Sequence, residues 1–172
     1  MIEVEDAALR AFLARDVGAL AAAGGLPHGL PLDEVASALG ADPTAFGRFF
    51  LGEPARETFW CPAVGVSGFD DTIKIWFRDG IVVKLEGEWP ELAPATAADA
   101  LGPADLLLDH RTATQMVPGG QHVWPSKGIA LTVNRAGTLI VALSTFPPTT
   151  PDGYQESVKP VDEFRESPAP RT

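Results

Sequence analysis

Apolar residues at helical spacing open the chain. They recur three or four positions apart, at Leu9, Phe12, Leu13, Val17 and Leu20. This spacing predicts one helix over residues 5–23, ended by a pair of glycines. A second, short helix is predicted from Pro31 to Leu39, because proline suits a first helical turn and Gly40 can end the helix.

The hydrophobic period then changes to two. Apolar Ile73, Ile75 and Phe77 alternate with Lys74, Trp76 and Arg78. The dipeptide Asp79-Gly80 follows, and Asp-Gly between two β-rich runs is a strong hairpin signal. We therefore expect strands at about 72–78 and 81–88, with Lys84 and Glu86 on the polar side of the second strand.

The second half repeats this order. A short helix is predicted over 95–101, a turn at Gly119-Gly120, and a hairpin from the runs 129–133 and 139–143. Gly80 then aligns with Gly137, and Leu39-Gly40 aligns with Leu101-Gly102. This order predicts two units, about 27–90 and 91–148.

The expected fold class is α+β. The two tandem units, each a short helix plus antiparallel strands, form a continuous or two-part sheet with the N-terminal helix 5–23 packed on it. Residues 1–150 are expected to form a single compact domain. Residues 151–172 are rich in proline and are expected to be a partly irregular tail, with one helical turn near Tyr154 to Val158.

A family resemblance rests on the stretch Leu-x-x-Val-x-x-x-Leu-Gly. Its residues are Leu32, Val35, Leu39 and Gly40, with Leu101 and Gly102 matching in the second unit. Over residues 27–148 the tandem arrangement resembles the β-lactamase inhibitor protein family, and a single unit resembles the SmpA/BamE lipoproteins. Those relatives are exported or lipidated, from which this sequence departs. The resemblance implies a sheet surface that binds another protein.

The net charge of the chain argues against some classes of binding partner. The 172 residues carry a formal charge of −10, which argues against binding to nucleic-acid phosphates or anionic membranes. The acidic start lacks the basic and apolar regions of a secretory signal, and the single Cys61 cannot form an internal disulfide. A cytoplasmic location is therefore expected.

Catalytic and metal-binding patterns are weak. His110 and His122 offer at most a two-histidine metal site, beside Asp109. Cys61 follows two aromatic residues, and apolar surroundings raise the pKa of a thiol and make it unreactive. No glycine-rich phosphate loop is present. We expect no catalytic residue, metal or cofactor, and hence no enzyme.

Aromatic residues and two loops supply the candidate binding surface. Trp76 lies opposite the apolar positions of its strand, so it is either covered by the N-terminal helix or part of a partner-binding face. Trp124 fits a core position and an interface equally well. The loops 64–71 and 119–127 could enter the cleft of a partner. The candidate partner-binding residues are Ser67, Phe69, Asp70, Asp71, Trp76, Gln121, His122 and Trp124.

Acidity, small size and the lack of catalytic groups are typical of immunity proteins of bacterial polymorphic toxins. The expected function is that of a non-catalytic immunity or inhibitor protein that blocks the active site of a basic toxin enzyme, as a monomer or in a 1:1 complex. An alternative is a small enzyme or a ligand- or metal-binding module with a pocket between the two sheet units. A third possibility is a scaffold whose sheet edge pairs between chains.

Overall fold

A computed structural model describes residues 6–39, 48–50, 57–61, 73–109 and 119–158 of the chain. The helices are α1 (Ala7–Ala14), α2 (Val17–Ala22), α3 (Leu32–Ala38), α4 (Pro94–Leu101) and α5 (Pro151–Gly153), which continues as a π-helical turn, Tyr154–Val158. A 3₁₀ turn spans Pro125–Lys127. The strands are β1 (Arg48–Phe50), β2 (Glu57–Cys61), β3 (Ile73–Arg78), β4 (Ile81–Leu92), β5 (Leu106–Asp109), β6 (Gly120–Trp124), β7 (Ile129–Val133) and β8 (Ile140–Thr145).

The N-terminal segment forms two helices, so the prediction of one helix over 5–23 is wrong. Arg15 adopts a left-handed conformation with φ of 57°, which ends α1. The amide of Asp16 donates to the carbonyl of Ala11, a bond typical of a left-handed helix end. Asp16 then begins α2, because its carboxylate accepts a hydrogen bond of 2.9 Å from the amide of Ala19.

The capping of α2 is testable. We expect Asp16→Ala to lower the free energy of unfolding by about 1 kcal/mol, because an amide at the start of the helix loses its acceptor. Asp16→Asn keeps an acceptor oxygen and is the matched control. Urea denaturation followed by circular dichroism measures both. Equal stability of the alanine and asparagine variants would show that the cap does not contribute.

All described strands lie in one antiparallel sheet. Within the described residues the sheet has eight strands in the order β1-β2-β3-β4-β8-β7-β6-β5. Each four-strand half follows its own helix, α3 or α4, and β4 pairs with β8 to join the halves. This confirms the α+β class with tandem units, and the sheet is continuous. The β3–β4 turn at Asp79 and Gly80 has φ of 51° and 74°, as a two-residue hairpin requires.

Helices cover one face of this sheet, here called the helix face. Side chains from α1 to α4 pack in one apolar cluster with alternate residues of the central strands. Phe12, Leu20 and Val35 from the helices and Ile75 and Leu131 from the strands are all buried in it. The predicted packing of the N-terminal segment on the sheet is therefore confirmed.

The opposite face, here called the back face, carries the other set of alternate residues. Its described positions include Trp76, Lys84, Glu86, Ser144 and Gln121, which the strand registers place on the side away from the helices. Lys84 is 1% exposed and Ser144 is fully buried. The sequence pattern placed Lys84 and Glu86 on this side correctly, but the face is covered rather than open to water.

The segment after β8 covers part of the back face. Tyr154 is fully buried and packs on Phe146, with ring centroids 4.9 Å apart. Both belong to a second apolar cluster with Val123 and Ala130, and Val158 closes it. The compact part of the chain therefore reaches at least Val158, beyond the expected domain end at residue 150. The expected helical turn at Tyr154–Val158 is present.

Candidate functional site

Four of the sequence-predicted partner-binding residues lie outside the described residues. They are Ser67, Phe69, Asp70 and Asp71. His110 also lies outside them, so the two-histidine arrangement stays a prediction. The remaining candidates, Trp76, Gln121, His122 and Trp124, are described.

Trp76 is 2% exposed and so offers almost no surface to a partner. The Nζ atom of Lys84 lies 4.2 Å from the centre of its ring, within the range of a cation–π contact. The indole N–H has no hydrogen-bond partner among the described residues. The helices α1 and α2 pack on the opposite face of the sheet, so they are not what covers Trp76.

Trp124 belongs to the core of the helix face. It is 2% exposed, and its indole N–H donates to the carbonyl of Gly102 at 3.1 Å. Lys127 donates to the neighbouring carbonyl of Leu101. Both acceptors lie at the end of α4, whose last carbonyls need partners from outside the helix. Of the two interpretations left open by the sequence, the structure places Trp124 as a core anchor for α4.

Gln121 has its amide engaged inside the molecule. Its Oε1 atom accepts a hydrogen bond of 2.6 Å from the hydroxyl of Tyr154, and its Nε2 atom donates to Thr132 at 3.3 Å. The residue is 3% exposed. These hydrogen bonds connect the C-terminal turn to β6 and β7. The side-chain amide of Gln121 therefore stabilises the packing of the back face.

The accessible part of this region is the edge formed by β5. Among the described strands, β5 pairs with β6 alone and ends the sheet. Leu107 is 70% exposed, the most exposed large apolar side chain in the described part of the chain. Leu106 and Leu108 point to the back face and pack against its apolar cluster. An exposed leucine on an edge strand is a marked feature, because proteins usually protect such edges.

A shallow depression lies beside Leu107. It has a volume of about 150 Å³ and is lined by residues of β5, β6 and the β7–β8 turn, including Leu107, His122 and Arg135. Partial burial lowers the pKa of His122 from its usual 6.5, which favours the neutral imidazole. The register pairs His122 with Leu107, which places both on the helix-face side of the edge.

The exposed charged side chains of the described residues are mostly acidic. The exposed carboxylates are Asp16, Asp33, Glu34, Asp79, Glu88, Asp99, Asp105, Asp152 and Glu156. The exposed lysines and arginines, counted over the same described side chains, are Arg10 and Arg135. Exposed carboxylates therefore outnumber exposed lysines and arginines in the described part of the chain, and one of the lysines, Lys84, is buried.

Clusters of metal-ligating side chains and membrane-spanning helices were sought in the described part of the chain. No three His, Cys, Asp or Glu side chains gather there as ligands for a metal ion. Over the same residues, no helix has the length and apolar character needed to cross a membrane.

Comparisons with protein-family models, curated proteins and solved structures return no match to this chain.

Sequence reasoning missed Leu107. The run Leu106 to Leu108 has no polar alternation, so the pattern does not reveal which leucine faces water. A usable signal was the pair of acidic residues, Asp105 and Asp109, that bracket the three leucines. Charges around a short apolar run are one way in which proteins restrain an edge strand.

Proposed function

We propose that this protein is a non-catalytic protein that binds a basic protein partner. The observation that carries the proposal is the one-sided charge of the described surface, where carboxylates greatly outnumber lysines and arginines. A surface of one sign raises the rate at which an oppositely charged protein is captured and disfavours acidic competitors.

Within this class we propose an immunity or inhibitor protein that occupies the active site of a basic toxin enzyme in a 1:1 complex. The enzymes that act on nucleic acids or anionic cofactors need positive active sites, which an acidic protein can cover. The proposal also expects a cytoplasmic location, where such a protein would meet its target.

The depression beside Leu107 gives little support to a small-molecule function. Ligand pockets commonly have volumes of about 300–1,000 Å³. The depression beside Leu107 measures about 150 Å³ and lies at the outer end of the second unit, rather than between the units. It is therefore better suited to a single side chain of a protein partner than to a free ligand.

The test is co-expression with the product of the neighbouring gene, followed by purification of the complex. We expect a basic partner whose association rate falls at least about tenfold between low and physiological salt, as electrostatic capture predicts. Stopped-flow fluorescence measures the rate. A matched control replaces the basic partner with an acidic protein of similar size, which should not bind this protein.

The results can distinguish toxin inhibition from the more general binding of a basic protein. A partner that is toxic alone and harmless when co-expressed supports the inhibitor function, whereas a harmless partner contradicts it and leaves protein binding standing. A partner without a basic surface, or an association rate insensitive to salt, contradicts the electrostatic basis of the proposal.

A further inference from the structure

The outer side of β5 offers an unpaired backbone edge. Within the described residues β5 has β6 on one side and no strand on the other, and an edge strand directs every second N–H and C=O group away from its neighbour. Leu107 stands in the middle of this edge with 70% of its surface exposed. Backbone groups and a central apolar side chain are what an added strand uses for binding.

The charges beside β5 indicate whether a second copy of this protein or a basic segment of another protein fits its edge better. Asp105, directly before β5, is exposed, and Asp109 is the last residue of the strand. A second copy paired antiparallel about Leu107 would bring Asp105 opposite Asp109 of its mate. Like charges directly opposite each other destabilise a strand pair, and each copy carries a charge of −10. The edge therefore favours a basic segment over a second copy.

We propose that β5 accepts an extended segment of the partner protein as an added strand. An apolar residue of that segment packs on Leu107 at the rim of the depression, and a lysine or arginine faces Asp105. The inference rests on the proposed function and deepens it, because it names the segment of the partner and the edge that binds it.

The probe is a synthetic peptide with capped ends, Thr-Lys-Thr-Val-Thr-Lys-Thr, titrated into the full-length protein; its central valine and both lysines share one face, as Leu107 and Asp105 do. We expect amide chemical shifts to change for Leu106 to Leu108 in NMR spectra. Two control peptides isolate the cause. One has methylated backbone nitrogens at alternate positions, which removes hydrogen-bond donors, and the other has glutamate in place of lysine. Both should bind more weakly.

Two variants test whether the peptide binds at the edge of β5. Leu107→Lys should weaken binding about tenfold, because it removes apolar contact and adds a like charge. Asp105→Lys should weaken binding of the lysine peptide and strengthen binding of the glutamate peptide. The control is Glu34→Lys, which makes the same change in net charge on α3, beside β4 and four strands from β5. All three sites are exposed, and circular dichroism verifies the fold.

The outcomes distinguish this inference from the proposed function. Equal binding of the methylated peptide, shifts confined to other strands, or equal effects of Glu34→Lys and Asp105→Lys would overturn strand addition. Dimers seen by light scattering in the wild type and lost in Leu107→Lys would assign the edge to a second copy instead. If a basic partner protein binds Leu107→Lys as well as it binds the wild type, the proposed function stands and the inference fails.

Discussion

Replacing Glu86 with alanine is expected to lower the free energy of unfolding by about 3 kcal/mol, since removing one partner of a buried ion pair leaves the other charge uncompensated. The Nζ atom of Lys84 lies 3.4 Å from Oε2 of Glu86, and the two side chains are 1% and 16% exposed. The same carboxylate oxygen accepts a hydrogen bond of 3.1 Å from Ser144 on β8. The carboxylate therefore connects β4 with the neighbouring strand of the other unit.

Two further variants test whether charge is the cause. Glu86→Gln keeps the size and an acceptor for Ser144, so it isolates the loss of negative charge. The double variant Lys84→Met with Glu86→Leu removes both charges, and we expect it to recover most of the stability lost in Glu86→Ala. Urea denaturation measures all of them. A double variant that is no more stable than Glu86→Ala would contradict the coupling of Lys84 with Glu86.

Tyr154→Ala is expected to destabilise the protein by about 3–5 kcal/mol, as removal of a fully buried aromatic ring does in other cores. The ring packs on Phe146, and its hydroxyl donates to Gln121, so the substitution leaves a cavity under the C-terminal turn and an acceptor without its donor. Tyr154→Phe retains the ring and should cost about 1–2 kcal/mol, because only the buried hydrogen bond is lost. Thermal and urea denaturation compare the two.

The same residue predicts a pH dependence. Burial raises the pKa of Tyr154 well above its usual 10.0, and the negative charge of Glu86 adds to this effect. The unfolded chain therefore ionises first, and we expect the contribution of Tyr154 to stability to be constant below pH 10 and to be lost as the pH rises above it. Tyr154 is the sole tyrosine of the chain, so tyrosinate absorbance reports this group directly. Ionisation of the folded protein near pH 10 would contradict burial of the hydroxyl.

Local patterns predicted the elements where one signal dominated. The β3–β4 hairpin followed from alternation and from Asp79-Gly80, whose positive φ angles match the turn. The prediction of one helix over 5–23 was wrong because the apolar periodicity continues across the break at Arg15. Asp16 in front of an apolar run was a capping signal that the periodicity obscured.

The candidate site was harder to predict, because side-chain exposure depends on what covers each face. Alternation placed Trp76 opposite Ile75, yet it could not tell that this face is closed around Trp76. Trp124 fitted core and surface equally well until its bond to the end of α4 was seen. Leu107 was hidden in a run of leucines without alternation.

The sequence by itself determined the repeated order of helix and hairpin and the acidic character of the protein, because period, turn residues and charge act over a few neighbouring positions. Only the tertiary structure decided that β4 pairs with β8, which joins the units and leaves β5 at an edge. It also decided that Tyr154 covers the back face. Pairing and burial between distant segments depend on how whole faces pack together, and no local pattern contains that information.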